Sequence, residues 1–367
     1  MRPLHNSMIR AWLGIGALQW RLWKGVIAVG GRARVRLIMF LLPLALIYSA
    51  SISQAAEITY QDGLGRVVKI PVPVKRAVIL VGPDDLIPAL NIWNKVVGVS
   101  TYTYAHDDLL RAAKPDWKDN VVPVASGMAD VNIEALIKLR PDIVVTWSYS
   151  HKTIRFMEQN GLRVIAINPE TLREFYGVID LFGRLFGRGK EAARTINEME
   201  GIFRLIQERV SGIPSDKIKK VLWVHYGGKP TSVACNGSLL AVMLKEIRAL
   251  NPAASIMPGR GGSADVSIEK IIAWNPDVIF IWGYAPYKAR DILDNPQWRY
   301  IRAVKDGRVY KAPERSTWSP ILAPLSLWTA MRVYPEYFKD VDFEKVVDDF
   351  YKKVFGIPCS KVKDFED

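Results

Sequence analysis

The stretch VNIEALIKLRPDIVVTWSY (131–149) recurs in altered form as VSIEKIIAWNPDVIFIWGY (266–284). In each copy a residue suited to a helix N-cap, Asn132 or Ser267, precedes a helical pattern that stops before Pro-Asp and leads into an apolar strand. The repeat therefore predicts one helix–strand unit twice, once in each of two similar α/β lobes. Aligned without gaps, the copies match at Val131/Val266, Ile133/Ile268, Glu134/Glu269, Ile137/Ile272, Pro141/Pro276, Asp142/Asp277, Trp147/Trp282 and Tyr149/Tyr284.

The sequence on either side of the repeat alternates between apolar runs of strand length and segments with helical spacing. The turn signal Asp62-Gly63 predicts a hairpin within 57–73, and TYTYAHDD (101–108) is predicted to be an aromatic loop. The alternation indicates an α/β fold of two Rossmann-like lobes with mainly parallel sheets. Strands are predicted at 76–81, 96–100, 142–148, 162–168, 219–228, 277–283 and 307–313. Helices are predicted at 82–92, 132–139, 155–161, 238–247, 267–274, 319–334 and 343–356.

Residues 172–210 differ because their helically spaced apolar residues continue without an intervening strand. They predict two consecutive helices, and the second is long enough to span roughly 30 Å. Two packed surface helices would give the same pattern, but we favour a single long α-helix that joins the lobes. The chain then divides into a signal peptide (1–56), an N-terminal lobe (57–188), an interlobe helix (189–212) and a C-terminal lobe (213–367).

The first 56 residues have the pattern of an export signal. The cationic RARVR (32–36) precedes LIMFLLPLALIYSA (37–50), an apolar run that is short for a transmembrane helix. The small residues of SISQAA (51–56) predict cleavage near Ala55 or Ala56, and an uncleaved anchor is the alternative. No cysteine follows the apolar run, so a lipid anchor is not expected, and translation could start at Met8. Export through a double-membraned envelope would place the protein in the periplasm.

Charge and cysteine content exclude several classes of function. Residues 1–56 hold seven of the Lys and Arg residues and no acid, which leaves 43 basic and 37 acidic residues in the remainder. This balance, with no clustered basic run, gives no support for nucleic-acid binding. The two cysteines, Cys235 and Cys359, show no zinc-ribbon or CxxC spacing, and we favour two unpaired thiols over a disulfide.

Aromatic and basic residues gather where the predicted strands end in both halves of the chain. Any one of them could serve core packing, but the set favours a ligand cleft between the lobes, because ligands of α/β sheets bind beyond the carboxyl ends of strands. Arg260 and Arg315 suit carboxylate or catecholate oxygens. The candidate ligand-binding residues are Tyr102, Tyr104, His106, Trp147, Tyr149, His225, Tyr226, Arg260, Trp282, Tyr284, Arg315 and Trp318.

Metal and catalytic signals are weak. Three imidazoles, His106, His151 and His225, would suit a bare metal ion, but no pair of them has ligand spacing typical of a helix or hairpin. The sequence contains no GxSxG, HExxH, P-loop or GxGxxG after a strand. No cofactor and no enzymatic activity are therefore expected.

The two acids of the repeat, Glu134 and Glu269, are predicted in the first turn of their helices. A carboxylate there interacts favourably with the helix dipole by about 0.3–1 kcal/mol, which would by itself explain both residues. The alternative is that each lobe presents one acid to a basic pocket of a two-fold symmetric partner. The residues alone leave both explanations open.

DGLGRVVKIPVPVKRAVIL (62–80), the paired IE…PD units and the connecting helix resemble substrate-binding proteins of ABC importers for iron–siderophore, haem and cobalamin. The resemblance covers essentially all of 57–356. It implies a bilobed fold with a rigid interlobe helix and limited closure. It also implies that Glu134 and Glu269 dock to arginines of a permease dimer, and that strand-end residues contact the ligand.

The function expected from these observations is that of a monomeric periplasmic receptor. It would capture a small-molecule metal chelate, first of all an iron(III) siderophore, and hand it to an inner-membrane ABC importer. Cobalamin, haem, a nickel chelate or a free metal ion are alternative ligands for the same type of transport. An exported enzyme or a sensor or adhesion module of similar fold is the alternative of another class.

Overall fold

A computed structural model describes residues 56–80, 82–125, 131–224, 229–259, 262–362 and 365. The predicted n-region and apolar run of the leader, and the alternative start at Met8, lie outside these residues. Among the helices that the structure describes, none has both the length and the apolar character needed to cross a membrane.

An N-terminal hairpin precedes the lobes, as predicted, and is anchored by its turn. Strands β1 (Ala56–Gln61) and β2 (Val67–Val72) pair antiparallel. The buried carboxylate of Asp62 accepts hydrogen bonds from the backbone N–H groups of Leu64 and Arg66 within the turn, and from that of Ala166 at 3.2 Å. The hairpin is thereby held against the last strand of the first lobe.

The first lobe contains a five-stranded sheet in which every neighbouring pair is parallel. Its strands are β3 (Ala77–Ile79), β4 (Val96–Ser100), β5 (Val122–Ala125), β6 (Ile143–Trp147) and β7 (Val164–Ile167), in the order β5-β4-β3-β6-β7. Its helices are α1 (Leu86–Ala89), α2 (Thr101–His106), α3 (Asp108–Ala113), α4 (Ile133–Leu139) and α5 (His151–Gln159).

The two helices predicted without an intervening strand follow the first lobe. Helix α6 (Leu172–Phe186) begins with a capping box formed by Thr171 and Glu174, and α7 (Gly189–Val210) extends for 22 residues. The prediction of two consecutive helices is confirmed, whereas the exact lobe boundaries at 188/189 and 212/213 stay predictions.

The second lobe contains a mixed sheet in the order β10-β9-β8-β11-β12. Strands β8, β11 and β12 are parallel, while β9 and β10 run antiparallel and were not predicted. The strands are β8 (Val221–Val224), β9 (Ser232–Ala234), β10 (Ser263–Asp265), β11 (Val278–Ile281) and β12 (Val309–Lys311). The helices are α8 (Leu239–Glu246), α9 (Ile268–Trp274), α10 (Ala289–Leu293), α11 (Arg302–Lys305), α12 (Leu322–Val333) and α13 (Phe343–Phe355). The predicted α/β class, with two mainly parallel lobes, is confirmed.

Helix α7 packs against both lobes. It contacts α1 and α6 on one side and α8, α12 and α13 on the other, and α13 also reaches back to α1. One apolar cluster consequently runs through both lobes and includes Phe182, Phe203, Trp328 and Phe350.

The repeated Pro-Asp has a structural role that the sequence did not reveal. The Asp142 carboxylate accepts hydrogen bonds from the backbone N–H groups of Lys75 at 2.7 Å and Arg76 at 2.9 Å, just before β3. Asp277 does the same for Lys220 at 2.8 Å, just before β8. The aspartate of each repeat thus fixes the start of a neighbouring strand in the sheet: Asp142 fixes β3 beside β6, and Asp277 fixes β8 beside β11.

The predicted loop at 101–108 is wrong, because two short helices occupy it. The Ser100 hydroxyl accepts a hydrogen bond from the backbone N–H of Thr103 and caps α2, and the Asp107 carboxylate accepts from Leu110 and caps α3. Helix α5 also begins four residues earlier than predicted, at His151. No disulfide joins Cys235, which is buried, to Cys359, which is partly exposed, as favoured from the sequence.

We expect Asp142→Ala to lower the free energy of unfolding by about 1.5–3 kcal/mol, since two backbone donors lose a charged acceptor. Urea denaturation monitored by circular dichroism measures the change. Asp119→Ala, at an exposed aspartate, is the control and should stay within about 0.5 kcal/mol of the parent. Equal effects of the two substitutions would contradict the proposed role of Asp142.

Candidate functional site

The carboxyl ends of strands from the two lobes meet across a shared contact region. The ring of Tyr102, after β4, lies 6.0 Å from that of Tyr284, after β11. The ring of Trp147, at the end of β6, lies 5.4 Å from that of Trp318, beyond β12. Four of the predicted ligand residues are therefore brought together in two pairs that each join one lobe to the other.

The repeated aromatic residues form equivalent pairs in each lobe. Trp147 and Tyr149 have ring centroids 5.9 Å apart, and Trp282 and Tyr284 have centroids 5.5 Å apart. Gly82 permits the approach of the indoles, because a Cβ there would lie 2.9 Å from Nε1 of Trp147 and 3.0 Å from the ring of Trp318. Rigid apolar walls with polar tips suit the recognition of a small molecule.

Two polar contacts also cross between the lobes. The Arg315 guanidinium donates from Nη2 to Oδ1 of Asp108 at 2.5 Å, and the arginine side chain is only 9% exposed. The Ser319 hydroxyl donates to Oδ2 of the buried Asp85. The segment that follows β12 therefore lies against α1 and α3 of the first lobe.

A close backbone contact positions this segment. A Cβ on Gly283 would lie 2.1 Å from the carbonyl oxygen of Pro313, which no side chain could accommodate without displacement. Gly283, which follows β11, thus permits the backbone at Pro313 to pass close beside it, two residues before Arg315.

Burial and repulsion between neighbouring carboxylates raise the pKa of two acids of the first lobe, Asp84 and Asp107. Burial, with the Asp107 carboxylate nearby, raises the pKa of Asp84 well above its ordinary value, although Asp84 Oδ2 accepts from the Thr103 hydroxyl at 2.8 Å. Burial, with repulsion from Asp85, raises the pKa of Asp107 to about 7. Both groups therefore favour the neutral form more than an exposed aspartate does.

A hydrogen-bond chain fixes Tyr149 at the end of β6. Its hydroxyl donates to Oδ1 of Asn168 at 2.6 Å, and the Asn168 amide donates to Oε1 of Glu170 at 2.9 Å. A Cβ on Gly237, in the second lobe, would lie 3.8 Å from Oε2 of Glu170. This chain therefore borders the region where the lobes meet.

The remaining predicted ligand residues differ in their placement. The ring of His106 lies 4.9 Å from that of Tyr102, tilted by 37°, and the ring of Trp282 lies edge-on to Trp223 at 6.4 Å. Tyr104 packs its ring on Trp117 at 5.7 Å. His225, Tyr226 and Arg260 lie outside the described residues.

Two of the three histidines considered for a bare metal site, His106 and His151, lie within the described residues. His151 begins helix α5 with an exposed side chain, while His106 ends α2. Within the described ranges, no group of three or more His, Cys, Asp or Glu residues is arranged to hold a metal ion. The three-histidine hypothesis includes His225, which is not described, and stays a prediction.

Sequence reasoning missed the acids that face the second lobe. Asp108 and Asp85 make the polar contacts to Arg315 and Ser319 of the second lobe, and Arg315 also acts electrostatically on Asp107. Two Asp-Asp pairs, at 84–85 and 107–108, follow β3 and β4 within a few residues, and this repetition at strand ends was the available signal.

Both acids of the repeat are exposed in the first turn of their helices, as predicted. Asn132 and Ser267 are the caps, each accepting a hydrogen bond from a backbone N–H of the first turn. Hydrogen bonds to its own backbone N–H and to Ser267 lower the pKa of Glu269. Both side chains are thus exposed to solvent.

A family model described as "Periplasmic binding protein" matches residues 77–316. The chain belongs to the periplasmic binding protein family. This membership bears out the resemblance to substrate-binding proteins of ABC importers and indicates a place outside the cytoplasm.

The names of individual relatives mention different ligands. The molybdate-binding protein MolA of Haemophilus influenzae is 26% identical over 352 residues, covering 86% of this chain and 95% of the relative. An iron-uptake system-binding protein of Bacillus subtilis is 21% identical, covering 71% and 81%. The structure of Helicobacter pylori CeuE in complex with Ni-His is 29% identical with a TM-score of 0.74, covering 84% and 98%.

We expect the stability of the protein to fall between about pH 4 and pH 7. Across this window folded Asp107 keeps a proton that the unfolded chain has released, so the unfolding free energy decreases by up to about 1.4 kcal/mol per pH unit. Asp107→Asn preserves a helix cap and should flatten the curve, while the exposed Asp119→Asn should not. Urea denaturation at several pH values measures this, and parallel curves for parent and Asp107→Asn would refute the assignment.

Proposed function

We propose that this protein is the receptor of an ABC importer that binds a metal chelate, with an iron(III) siderophore as the first expected ligand. It delivers the chelate as a monomer to a permease dimer in the inner membrane and does no chemistry on it. The observation that carries this proposal is the meeting of aromatic rings from both lobes, Tyr102 with Tyr284 and Trp147 with Trp318.

A chelate fits these walls better than a bare ion does. Aromatic rings offer wide apolar contact but few atoms that coordinate a metal, so a ligand must bring its own donor atoms.

A nickel–histidine complex is a second candidate ligand. It is favoured by the similarity to CeuE, which is solved with Ni-His and of which 98% is covered. The name of the MolA relative adds molybdate to the ligands worth testing, and the iron-uptake relative supports iron.

We expect one of the chelates to raise the melting temperature of the purified protein in a thermal-shift screen. The ligands tested are ferric siderophores, Ni–histidine, haem, cobalamin, molybdate and free metal ions. A ligand present at 100 times its Kd stabilises the fold by about 2.7 kcal/mol. Haem and cobalamin binding would also be visible in the absorbance of the complex.

Paired variants test whether the aromatic region is the binding site. Tyr102→Ala and Tyr284→Ala should weaken the shift, because each removes one ring of a pair that joins the lobes. Tyr300→Ala is the matched control, since Tyr300 is 56% exposed and Tyr102 is 50% exposed. A shift that survives both of the first two substitutions would place the ligand elsewhere.

The proposed permease contact rests on the repeated acids. Glu134 and Glu269 are both exposed and both occupy the second position of a seven-residue helix after a side-chain cap. Their equivalent places in the two lobes suit a partner made of two equivalent subunits.

We expect the double substitution Glu134→Ala with Glu269→Ala to abolish uptake while ligand affinity is unchanged. Uptake is measured in cells that depend on the importer, and affinity is measured on the purified protein. Glu344→Ala is the control, because Glu344 is exposed at the same position of α13, two residues after its cap Asp342. A collapse of affinity in the double variant would assign the two acids to the ligand site or the fold.

A further inference from the structure

The repeated helices α4 and α9 carry a matched pair of isoleucines, Ile137 and Ile272, beside the buried stripe of each helix. The core positions just before them, Leu136 and Ile271, are both fully buried. Adjacent residues of a helix point about 100° apart, so each isoleucine turns from the core toward the flank of its helix. Ile137 is 44% exposed, and Ile272 is half-buried against the core of the second lobe.

Each isoleucine lies next to one of the repeated acids. Glu134 and Ile137 are three residues apart, as are Glu269 and Ile272, which places their Cβ atoms about 5–6 Å from each other on one helix surface. Both glutamates are exposed. Each lobe therefore presents a carboxylate beside an aliphatic side chain.

The repetition of this acid–isoleucine pair distinguishes it from a chance exposed residue. A single exposed isoleucine needs no explanation, because folded proteins expose many apolar side chains one at a time. Here the pair recurs in both lobes although neighbouring positions of the two helices differ: Ala135 aligns with Lys270, and Lys138 aligns with Ala273. A shared constraint on the acid and the isoleucine, rather than on the helix surface as a whole, explains this pattern.

An arginine is the side chain that best matches such a pair. Its guanidinium can fork onto a carboxylate, while its methylene stem can lie along an aliphatic side chain. Apolar contact around the ion pair excludes water, which strengthens the attraction between the charges and reduces its screening by salt. The isoleucine thus makes the neighbouring carboxylate a stronger partner for an arginine than an isolated surface acid is.

We propose that Ile137 and Ile272 are the apolar part of the permease contact, each covering an ion pair between its neighbouring glutamate and an arginine of one permease subunit. The permease dimer is the occupant, because a partner made of two equivalent subunits matches one acid–isoleucine pair in each lobe. This inference rests on the proposed function and extends its permease contact from two charges to two patches that are both charged and apolar.

Binding of the full mature chain to the importer complex, reconstituted with its permease dimer in lipid nanodiscs, tests the proposal by surface plasmon resonance. Ile137→Ser should weaken binding at least about fivefold, whereas Ile137→Leu keeps the apolar surface and should stay within about twofold of the parent. Leu250→Ser is the matched control, since Leu250 is 54% exposed and lies beside the start of β8, outside both repeats.

The salt dependence of binding separates an apolar cover from a general loss of contact. Between about 50 mM and about 0.5 M salt, the affinity of Ile137→Ser should fall more steeply than that of the parent, because its ion pair is open to screening. Adding Glu134→Ala and Glu269→Ala should flatten the dependence in both backgrounds. An Ile137→Ser protein that is folded by circular dichroism and keeps either the affinity or the salt dependence of the parent would overturn the proposal.

The second lobe is tested with Ile272→Thr, which keeps a β-branched shape at a half-buried position. It should weaken binding in the same direction as Ile137→Ser, and a folded Ile272→Thr protein with the affinity of the parent would refute the two-lobed contact. Should Ile272→Thr not fold, the result for the exposed Ile137 decides.

The outcomes separate this inference from the proposed function. If the parent does not bind the reconstituted importer, the proposed delivery to a permease fails. If the parent binds and the double glutamate variant does not, while Ile137→Ser behaves like Leu250→Ser, the proposed function holds and this inference fails. Loss of binding in both Ile137→Ser and the double glutamate variant supports both.

Discussion

The apolar core that runs from one lobe to the other is the constraint on which the rest of the structure depends. Helix α7 contacts helices of both lobes, and α13 returns from the second lobe to α1 of the first. Phe182, Phe203, Trp328 and Phe350 belong to the same cluster. Separating the lobes would expose these apolar side chains to water. The free-energy cost is roughly 25 cal/mol for each Å² of apolar surface exposed, so burial opposes a wide opening.

Because the core holds the lobes together, polar groups at the strand ends must find partners across a narrow region. Arg315 with Asp108 and Ser319 with Asp85 are such partners. Burial in this region, reinforced by neighbouring carboxylates, raises the pKa of both Asp84 and Asp107. The electrostatic character of the site is therefore a consequence of how the lobes are joined.

Periodicity in the sequence predicted most of the regular elements and the parallel sheets. It failed at Thr101–His106, where Tyr and Thr have modest helix propensity and the cap Ser100 also ends a strand. It also missed β9 and β10, which are only three residues long each and therefore too short to show alternation. Tyr104 was predicted as a ligand residue from its position alone, and its ring packs on Trp117.

The sequence by itself determined the two repeated helix–strand units, their caps and the exposed acids, because capping and amphipathic spacing depend on residues a few positions apart. Only the tertiary structure decided that Asp142 and Asp277 hold the neighbouring strands, and that Asp108 pairs with Arg315 from 207 residues away. Such pairs depend on strand order and on how loops from two lobes approach each other. No local sequence pattern indicates which distant residues will meet, so the chemistry of the site is decided only when the chain is folded.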